Sequence, residues 1–172
     1  MARISVRALR LRPGQEHRES LELVLDPLVL GGETYRFSPP ETPAELAVQR
    51  ASSGDLFRLA LSTRLEGPCM RCLAPAGLDV DVDGQEYEAA EADGDEELRS
   101  EYVSNGELDV GAWARDQVAL GLPDQILCRP DCAGLCPVCG KDLNVEPHEH
   151  AGEAVDPRWA ALEAFGTETP DA

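Results

Sequence analysis

The sequence has few aromatic residues, a single lysine and no long apolar run. Trp, Tyr and Phe make up 5% of the 172 residues, so a core has to be built mainly from Leu, Val and Ala. No window approaches the roughly 18 uninterrupted apolar residues of a membrane-spanning helix. The opening residues, MARISVRALRLRPG, also lack the apolar stretch of a secretion signal. These absences predict a cytoplasmic protein without a membrane-spanning segment.

The charge is strongly negative and unevenly distributed. The net charge is −18, yet residues 1–20 carry five arginines against two glutamates, whereas residues 79–109 carry 13 acidic residues against one arginine. An acidic surface repels bulk nucleic acid and favours a basic protein partner. Arginine remains well suited to phosphate contacts. The candidate RNA contacts are Arg3, Arg7, Arg10, Arg12 and Arg71.

Alternating apolar and polar residues predict β-strands in the first half of the chain. The alternation occurs at residues 4–8, 21–25, 57–65 and 78–82. A period of two over such lengths predicts strands with one buried and one exposed face. We therefore expect an α+β fold: an antiparallel, β-rich sheet or small open barrel with a few helices and a C-terminal Cys-rich, zinc-binding tail.

The predicted domain organisation has two parts. Residues 1–127 form the β-rich domain, with an acidic loop at about 89–106, where apolar residues are scarce, and a helix at about 109–121. Residues 128–172 form the Cys/His-rich tail, which closes with a short helix at about 156–166.

The cysteines are the strongest functional signal. Cytoplasmic thiols are kept reduced, so six cysteines predict metal binding or thiol chemistry rather than disulfides. A turn such as CPVCG at residues 136–140 is typical of a metal knuckle, in which two thiolates face one ion and the glycine permits a positive φ. Zn²⁺ takes four Cys or His ligands in a tetrahedron. Three closely spaced cysteine pairs therefore predict one or two structural zinc ions, although iron would use the same knuckles.

The ligands allow three partitions. The first has two sites, one made of Cys69, Cys72, Cys128 and Cys132 and the other of Cys136, Cys139, His148 and His150. The second is a single zinc ribbon made of Cys69, Cys72, Cys136 and Cys139. The third is a local four-cysteine site within residues 128–139. The spacing excludes none of them.

Enzyme signatures are absent from the sequence. It contains no HExxH, no HxE with a partner CxxC, no GxSxG and no phosphate-cradling glycine loop, so we predict that the protein is not an enzyme. The alternative is a thiol redox protein or redox-sensing switch, because Arg71 lies inside CMRC and a positive neighbour lowers a thiol pKa. A redox pair, however, needs only two cysteines.

Three motifs resemble the YceD family of large ribosomal RNA subunit accumulation proteins: CMRCLAP, ELDVGAWARDQVALGLP and CAGLCPVCGKDLN. The resemblance follows the whole chain in order. Members are bacterial cytoplasmic proteins implicated in accumulation or processing of 23S ribosomal RNA. The resemblance therefore implies a role in ribosome assembly, with a large-subunit precursor (a basic ribosomal protein or the RNA) as partner and neither a small-molecule substrate nor a membrane.

The resemblance also bears on the ligand partition. Many family members place a Cys-x-Cys pair soon after the CPxCG knuckle. In this sequence His148-x-His150 occupies the corresponding place, and imidazoles are suitable zinc ligands. This correspondence is the main reason to prefer two metal sites.

Overall fold

The computed structural model describes residues 2–90 and 98–150. The chain divides into two compact units, Met1–Cys132 and Ala133–Ala172. The first unit extends a few residues past the predicted boundary, so it contains four of the six cysteines. The helix predicted at 156–166 lies outside the described residues.

The first unit is built from antiparallel strands and one described α-helix. The strands are β1 (Arg3–Ser5), β2 (Glu16–Val24), β3 (Leu28–Leu30), β4 (Glu33–Ser38), β5 (Glu41–Arg50), β6 (Gly54–Pro68), β7 (Pro75–Ala89), β8 (Val103–Ser104) and β9 (Glu107–Asp109). The helix α1 is Val110–Leu120. This architecture confirms the predicted fold class. Within residues 2–90 and 98–150, no helix combines the length and the hydropathy that crossing a bilayer requires.

Two sheets organise these strands. The larger has the order β2-β5-β6-β4-β3, and β7 also pairs with β6; the smaller has the order β1-β9-β8. Strands β6 and β7 are each 15 residues long and pair along their whole length, from Gly54↔Ala89 to Pro68↔Pro75. The loop between them, residues 69–74, is therefore held at the end of a long, rigid hairpin. That loop carries the first CxxC pair.

The core follows the period-two pattern. Alternate residues of β6 and β7 point into one apolar cluster, and α1 adds a helical stripe to it. The buried residues that these three elements supply include Phe57, Leu59, Leu61, Leu65, Val80, Val82, Val110, Trp113, Ala114 and Val118.

Several segments depart from the sequence prediction. The alternation at 4–8 yields a strand only at Arg3–Ser5, because a 3-10 turn, Val6–Leu9, follows it. Strands β3, β4 and β5 lie outside the predicted alternating segments; β5 does alternate, but it contains Pro43, and proline disfavours a strand. The predicted acidic loop contains the short strand β8, while its residues 91–97 lie outside the described part.

Asp109 is the N-cap of helix α1, at the start of the helix predicted at about 109–121. A carboxylate oxygen of Asp109 accepts a hydrogen bond from the Ala112 N–H at 3.0 Å, and the other pairs with Arg3 Nε at 3.0 Å. Burial raises the pKa of Asp109, but the Ala112 N–H and Arg3 outweigh it and hold that pKa below its ordinary value. The cap and the ion pair together join β1, β9 and α1.

Replacing Asp109 with alanine should lower the free energy of unfolding by about 1 kcal/mol at neutral pH, the usual value of an N-cap. Because the folded pKa is lowered, this contribution is complete above the ordinary pKa and is lost as pH falls through the folded value. Urea denaturation at several pH values measures the difference in the free energy of unfolding between the wild type and the variant. Loss of metal at low pH affects both proteins and cancels in this difference. Asp109→Asn keeps a capping oxygen and should lose less; equal losses would contradict the capping role.

Candidate metal centres

Four cysteines of the first unit converge at the end of the β6–β7 hairpin. This all-thiolate cluster consists of Cys69, Cys72, Cys128 and Cys132, whose sulfur atoms all lie within 4.8 Å of one another. The Sγ–Sγ distance is 3.8 Å for Cys69–Cys132 and 3.6 Å for Cys72–Cys128. A tetrahedron with Zn–S bonds of about 2.3 Å has edges of about 3.8 Å. The sulfur positions therefore fit a tetrahedral zinc ion.

The first knuckle is a tight turn that closes the hairpin. The Cys69 N–H donates to the Ala74 carbonyl at 2.7 Å, and the Leu73 N–H donates to the Cys69 carbonyl at 3.0 Å. The Arg71 N–H points at Cys69 Sγ from 3.4 Å. Leu73 has φ of +61°, a conformation that favours glycine. The turn thus aims two sulfurs and a main-chain donor at one point.

Contacts with residues 125–132, which follow α1 in the chain, bring the other two cysteines to this turn. The Met70 N–H donates to the carbonyl of Ile126 at 2.9 Å, and the Ile126 side chain is buried in the core. The Arg71 guanidinium donates to the Cys132 carbonyl and to Gln125 Oε1, each at 3.0 Å. Arg71, a candidate RNA contact in the sequence, therefore holds the ligand segments together.

Two thiols of this cluster, Cys69 and Cys128, differ strongly in acidity. Burial raises the pKa of Cys69, but main-chain N–H groups of Arg71, Cys72 and Cys128 outweigh it and lower that pKa to about 6. Interaction with the Cys72 thiol, followed by burial, raises the pKa of Cys128 to about 12. Ionising all four sulfurs thus requires a compensating positive charge, which a divalent cation at the centre supplies.

Cys128 is the accessible member of the all-thiolate cluster. Cys69, Cys72 and Cys132 are buried, whereas Cys128 is exposed. It lines an open groove of about 800 Å³ together with Arg36, Arg64, Glu66 and Leu73, among others. A chelator or an alkylating reagent in solution can therefore reach the cluster from this side.

The second unit holds a mixed cluster. This Cys2His2 cluster consists of Cys136, Cys139, His148 and His150, whose ligand atoms also lie within 4.8 Å of one another. Cys139 Sγ and His148 Nε2 are 3.1 Å apart, somewhat closer than the edge of about 3.5 Å that Zn–S and Zn–N bonds of about 2.3 and 2.0–2.1 Å would give. The donor set, two thiols and two imidazoles, is one that structural zinc sites use.

The second knuckle repeats the turn of the first. The Gly140 N–H donates to the Cys136 carbonyl at 2.8 Å, and in the first knuckle the Leu73 N–H donates to the Cys69 carbonyl in the same way. Gly140 has φ of +72°, which confirms the reason for a glycine after the second cysteine. Main-chain N–H groups of Cys139 and Val138 lower the pKa of Cys136 to about 6 despite burial.

A main-chain carbonyl orients the first histidine ligand. His148 Nδ1 lies 2.7 Å from the Glu146 carbonyl oxygen, so Nδ1–H donates and Nε2 keeps the lone pair that faces the thiols. This hydrogen bond, followed by the Cys136 thiol, raises the pKa of His148. A metal-ligating histidine usually has such a partner for its second nitrogen. This hydrogen bond could not be predicted from the sequence, because a main-chain carbonyl acceptor leaves no side-chain signature.

Residues 57–166 match the family described as Large ribosomal RNA subunit accumulation protein YceD. The chain belongs to the YceD family. It is similar to uncharacterized proteins of Mycobacterium bovis and Mycobacterium tuberculosis, each 38% identical over 131 residues, which are 73% of this chain and 62% of the relative. An uncharacterized protein of Mycobacterium leprae is 32% identical over 123 residues, 69% of this chain and 56% of its own length.

This YceD chain spans less than two thirds of the length of these curated relatives. No solved structure matches it. The family match begins in β6 and includes all six cysteines and both histidines of the two clusters. The residues before position 57, which contain four of the five candidate RNA-contact arginines, lie outside the matched region.

The remaining candidate RNA contacts of this YceD protein fall into two groups. Arg3 is exposed but engaged with Asp109. Arg7, Arg10 and Arg12 are exposed along the segment that joins β1 to β2. The structure therefore separates arginines with intramolecular roles from arginines that face solvent.

Proposed function

We propose that this protein is a non-enzymatic factor in biogenesis of the large ribosomal subunit that supports synthesis, processing or accumulation of 23S ribosomal RNA. The observation that carries the proposal is the YceD family match over residues 57–166. The protein acts in the cytoplasm on a large-subunit precursor, through a basic ribosomal protein, the ribosomal RNA or both. It uses neither a membrane nor a small-molecule substrate.

The two clusters bind Zn²⁺ as structural ions in this proposal. Each cluster offers four protein ligands from Cys and His side chains. A catalytic zinc needs a coordination position open to water or substrate, whereas four protein ligands close the coordination shell. Zinc therefore contributes folding energy to the end of the hairpin and to the second knuckle rather than chemistry. This is the basis for proposing that the protein is not an enzyme.

The acidic surface supports a basic protein partner. Asp79, Asp81 and Asp83 are exposed on one face of β7, and the whole chain carries a charge of −18. Ribosomal proteins are the basic components of a large-subunit precursor, and opposite charge speeds their encounter with this face. The thiol redox alternative is not favoured, because every cysteine falls in a group of four potential metal ligands.

Depletion of the protein in its own bacterium tests the proposal. We expect the ratio of 23S to 16S ribosomal RNA to fall and 23S precursors or large-subunit particles of reduced sedimentation to accumulate. Expression of the wild-type chain should restore the ratio, and depletion of an unrelated acidic protein should leave it unchanged. An unaltered ratio and an unaltered sedimentation profile after complete depletion would contradict the proposal.

A further inference from the structure

The segment between β1 and β2 presents three arginines on an anchored backbone. Val6 is buried, and Leu9 and Leu11 pack against the core. Arg7, Arg10 and Arg12 each follow one of these anchors directly in the chain and are exposed. Apolar and basic residues thus separate onto the inner and outer sides of the segment, which the alternation in VRALRLR allows.

Hydrogen bonds fix this segment at both ends. The Val6 N–H donates to the Gly106 carbonyl at 3.0 Å, and the Gln15 N–H donates to the Arg12 carbonyl at 2.9 Å. Between them, Arg10 adopts φ of +49° and its N–H donates to the Arg7 carbonyl at 3.3 Å. A left-handed backbone is uncommon for a residue with a side chain. Because these hydrogen bonds already hold the backbone, a ligand that binds here has to order little more than the three arginine side chains.

The three guanidinium groups have no acidic partner among residues 2–90 and 98–150. Three acids of the adjoining strands already have basic partners: Glu16 pairs with Arg18, Glu19 with His17, and Asp109 with Arg3. In a chain of net charge −18, three uncompensated arginines within six residues form a local positive surface. The negative charge of the rest of the molecule disfavours contact with a polyanion elsewhere.

We infer that Arg7, Arg10 and Arg12 contact the phosphate groups of ribosomal RNA. Guanidinium groups bind phosphate oxygens through forked hydrogen bonds. Residues 6–12 contain no aromatic side chain on which a base could stack, so stacking on an aromatic ring does not contribute to binding at this surface. The choice of RNA as the polyanion rests on the proposed function.

The inference gives a measurable salt dependence. Three phosphate contacts give a slope of log K against log salt of about −2 for single-stranded RNA and about −2.7 for a duplex. Removing all three arginines should abolish that part of the slope and weaken binding at low salt about tenfold or more.

Fluorescence anisotropy with the full, zinc-loaded chain and a labelled fragment of 23S ribosomal RNA tests it. The test variant is Arg7→Gln/Arg10→Gln/Arg12→Gln. The matched control is Arg36→Gln/Arg58→Gln/Arg99→Gln, which removes the same charge from other exposed arginines without an ion pair in the described part of the chain. Equal thermal midpoints show that both variants fold, and lysine at positions 7, 10 and 12 should restore part of the affinity.

A loss confined to the test variant, with the reduced slope, supports the inference. Equal losses in both variants would show a bulk charge effect and overturn it, as would wild-type protein that does not bind the RNA. If depletion still lowers 23S ribosomal RNA in that case, the proposed function stands and only the RNA contact is wrong. If the test variant alone loses binding but depletion has no effect, the RNA contact stands and the proposed function is wrong.

Discussion

Replacing Cys69 with serine should remove one zinc ion per chain and destabilise the sheet unit severely. Cys69 is fully buried where β6 ends, and its cluster joins the β6–β7 hairpin to the segment that contains Ile126. Structural zinc contributes on the order of 10 kcal/mol of apparent free energy in small zinc-dependent domains. Loss of even part of it lowers the thermal midpoint by roughly 10 °C or more, since about 1 kcal/mol shifts the midpoint by 2–4 °C at this size.

Cys139→Ser is the matched comparison for Cys69→Ser. Cys139 is an exposed ligand of the Cys2His2 cluster in the second unit. This variant should also lose one zinc ion, but the main thermal transition, which reports the sheet unit, should stay close to that of wild type. Zinc content by elemental mass spectrometry and thermal unfolding by circular dichroism measure both effects. A Cys69→Ser protein that keeps two zinc ions and the wild-type midpoint would contradict the assignment of the all-thiolate cluster.

Replacing Trp113 with alanine should lower the free energy of unfolding by about 3–5 kcal/mol at saturating zinc, the usual range for a buried aromatic residue. Trp113 is fully buried, and its ring lies 6.4 Å from that of Tyr102, centroid to centroid. It supplies much of the apolar surface by which α1 covers the sheet. A loss of this size is a large part of the 5–15 kcal/mol typical of a whole domain. Urea denaturation with zinc present measures it.

The variant Trp113→Phe separates the contribution of ring packing to stability from that of the buried indole N–H. The Trp113 Nε1 atom is buried, and none of the described residues accepts a hydrogen bond from it. Phenylalanine keeps most of the ring contacts and removes this unsatisfied donor, so it should cost much less than alanine. If the two variants lost equal stability, the packing account of Trp113 would be wrong.

The metal ligands could be recognised from the sequence because their signal is local. A CxxC turn fixes two sulfurs within one short segment, and the cysteine at position 136 with the glycine at position 140 predicts the observed positive φ. The pairing of Cys69 with Cys132 is different, because 63 residues separate them in the chain. Residue spacing left that pairing open, and the family resemblance favoured the arrangement that the structure brings together.

Other features depend on contacts that the sequence does not encode locally. The alternation after residue 3 predicts a strand, but the hydrogen bond from the Val6 N–H to Gly106 and the burial of Val6 accompany a 3-10 turn instead. Strand β5 forms between β2 and β6 in spite of Pro43, because pairing on both sides outweighs a local penalty. The different environments of Arg71 and Arg10 likewise follow from tertiary position, since the arginine side chain alone does not show that Arg71 contacts Gln125 and the Cys132 carbonyl whereas Arg10 is exposed.

Metal content of the freshly purified, reduced protein, measured together with a thiol titration before and after chelation, tests the two-centre account most directly. We predict two zinc ions per chain and six thiols that react fully only after chelation, with the Cys2His2 cluster, which has two exposed ligands against one in the all-thiolate cluster, releasing its metal first. One zinc ion per chain with two freely reactive thiols, or six reactive thiols without metal, would contradict the account.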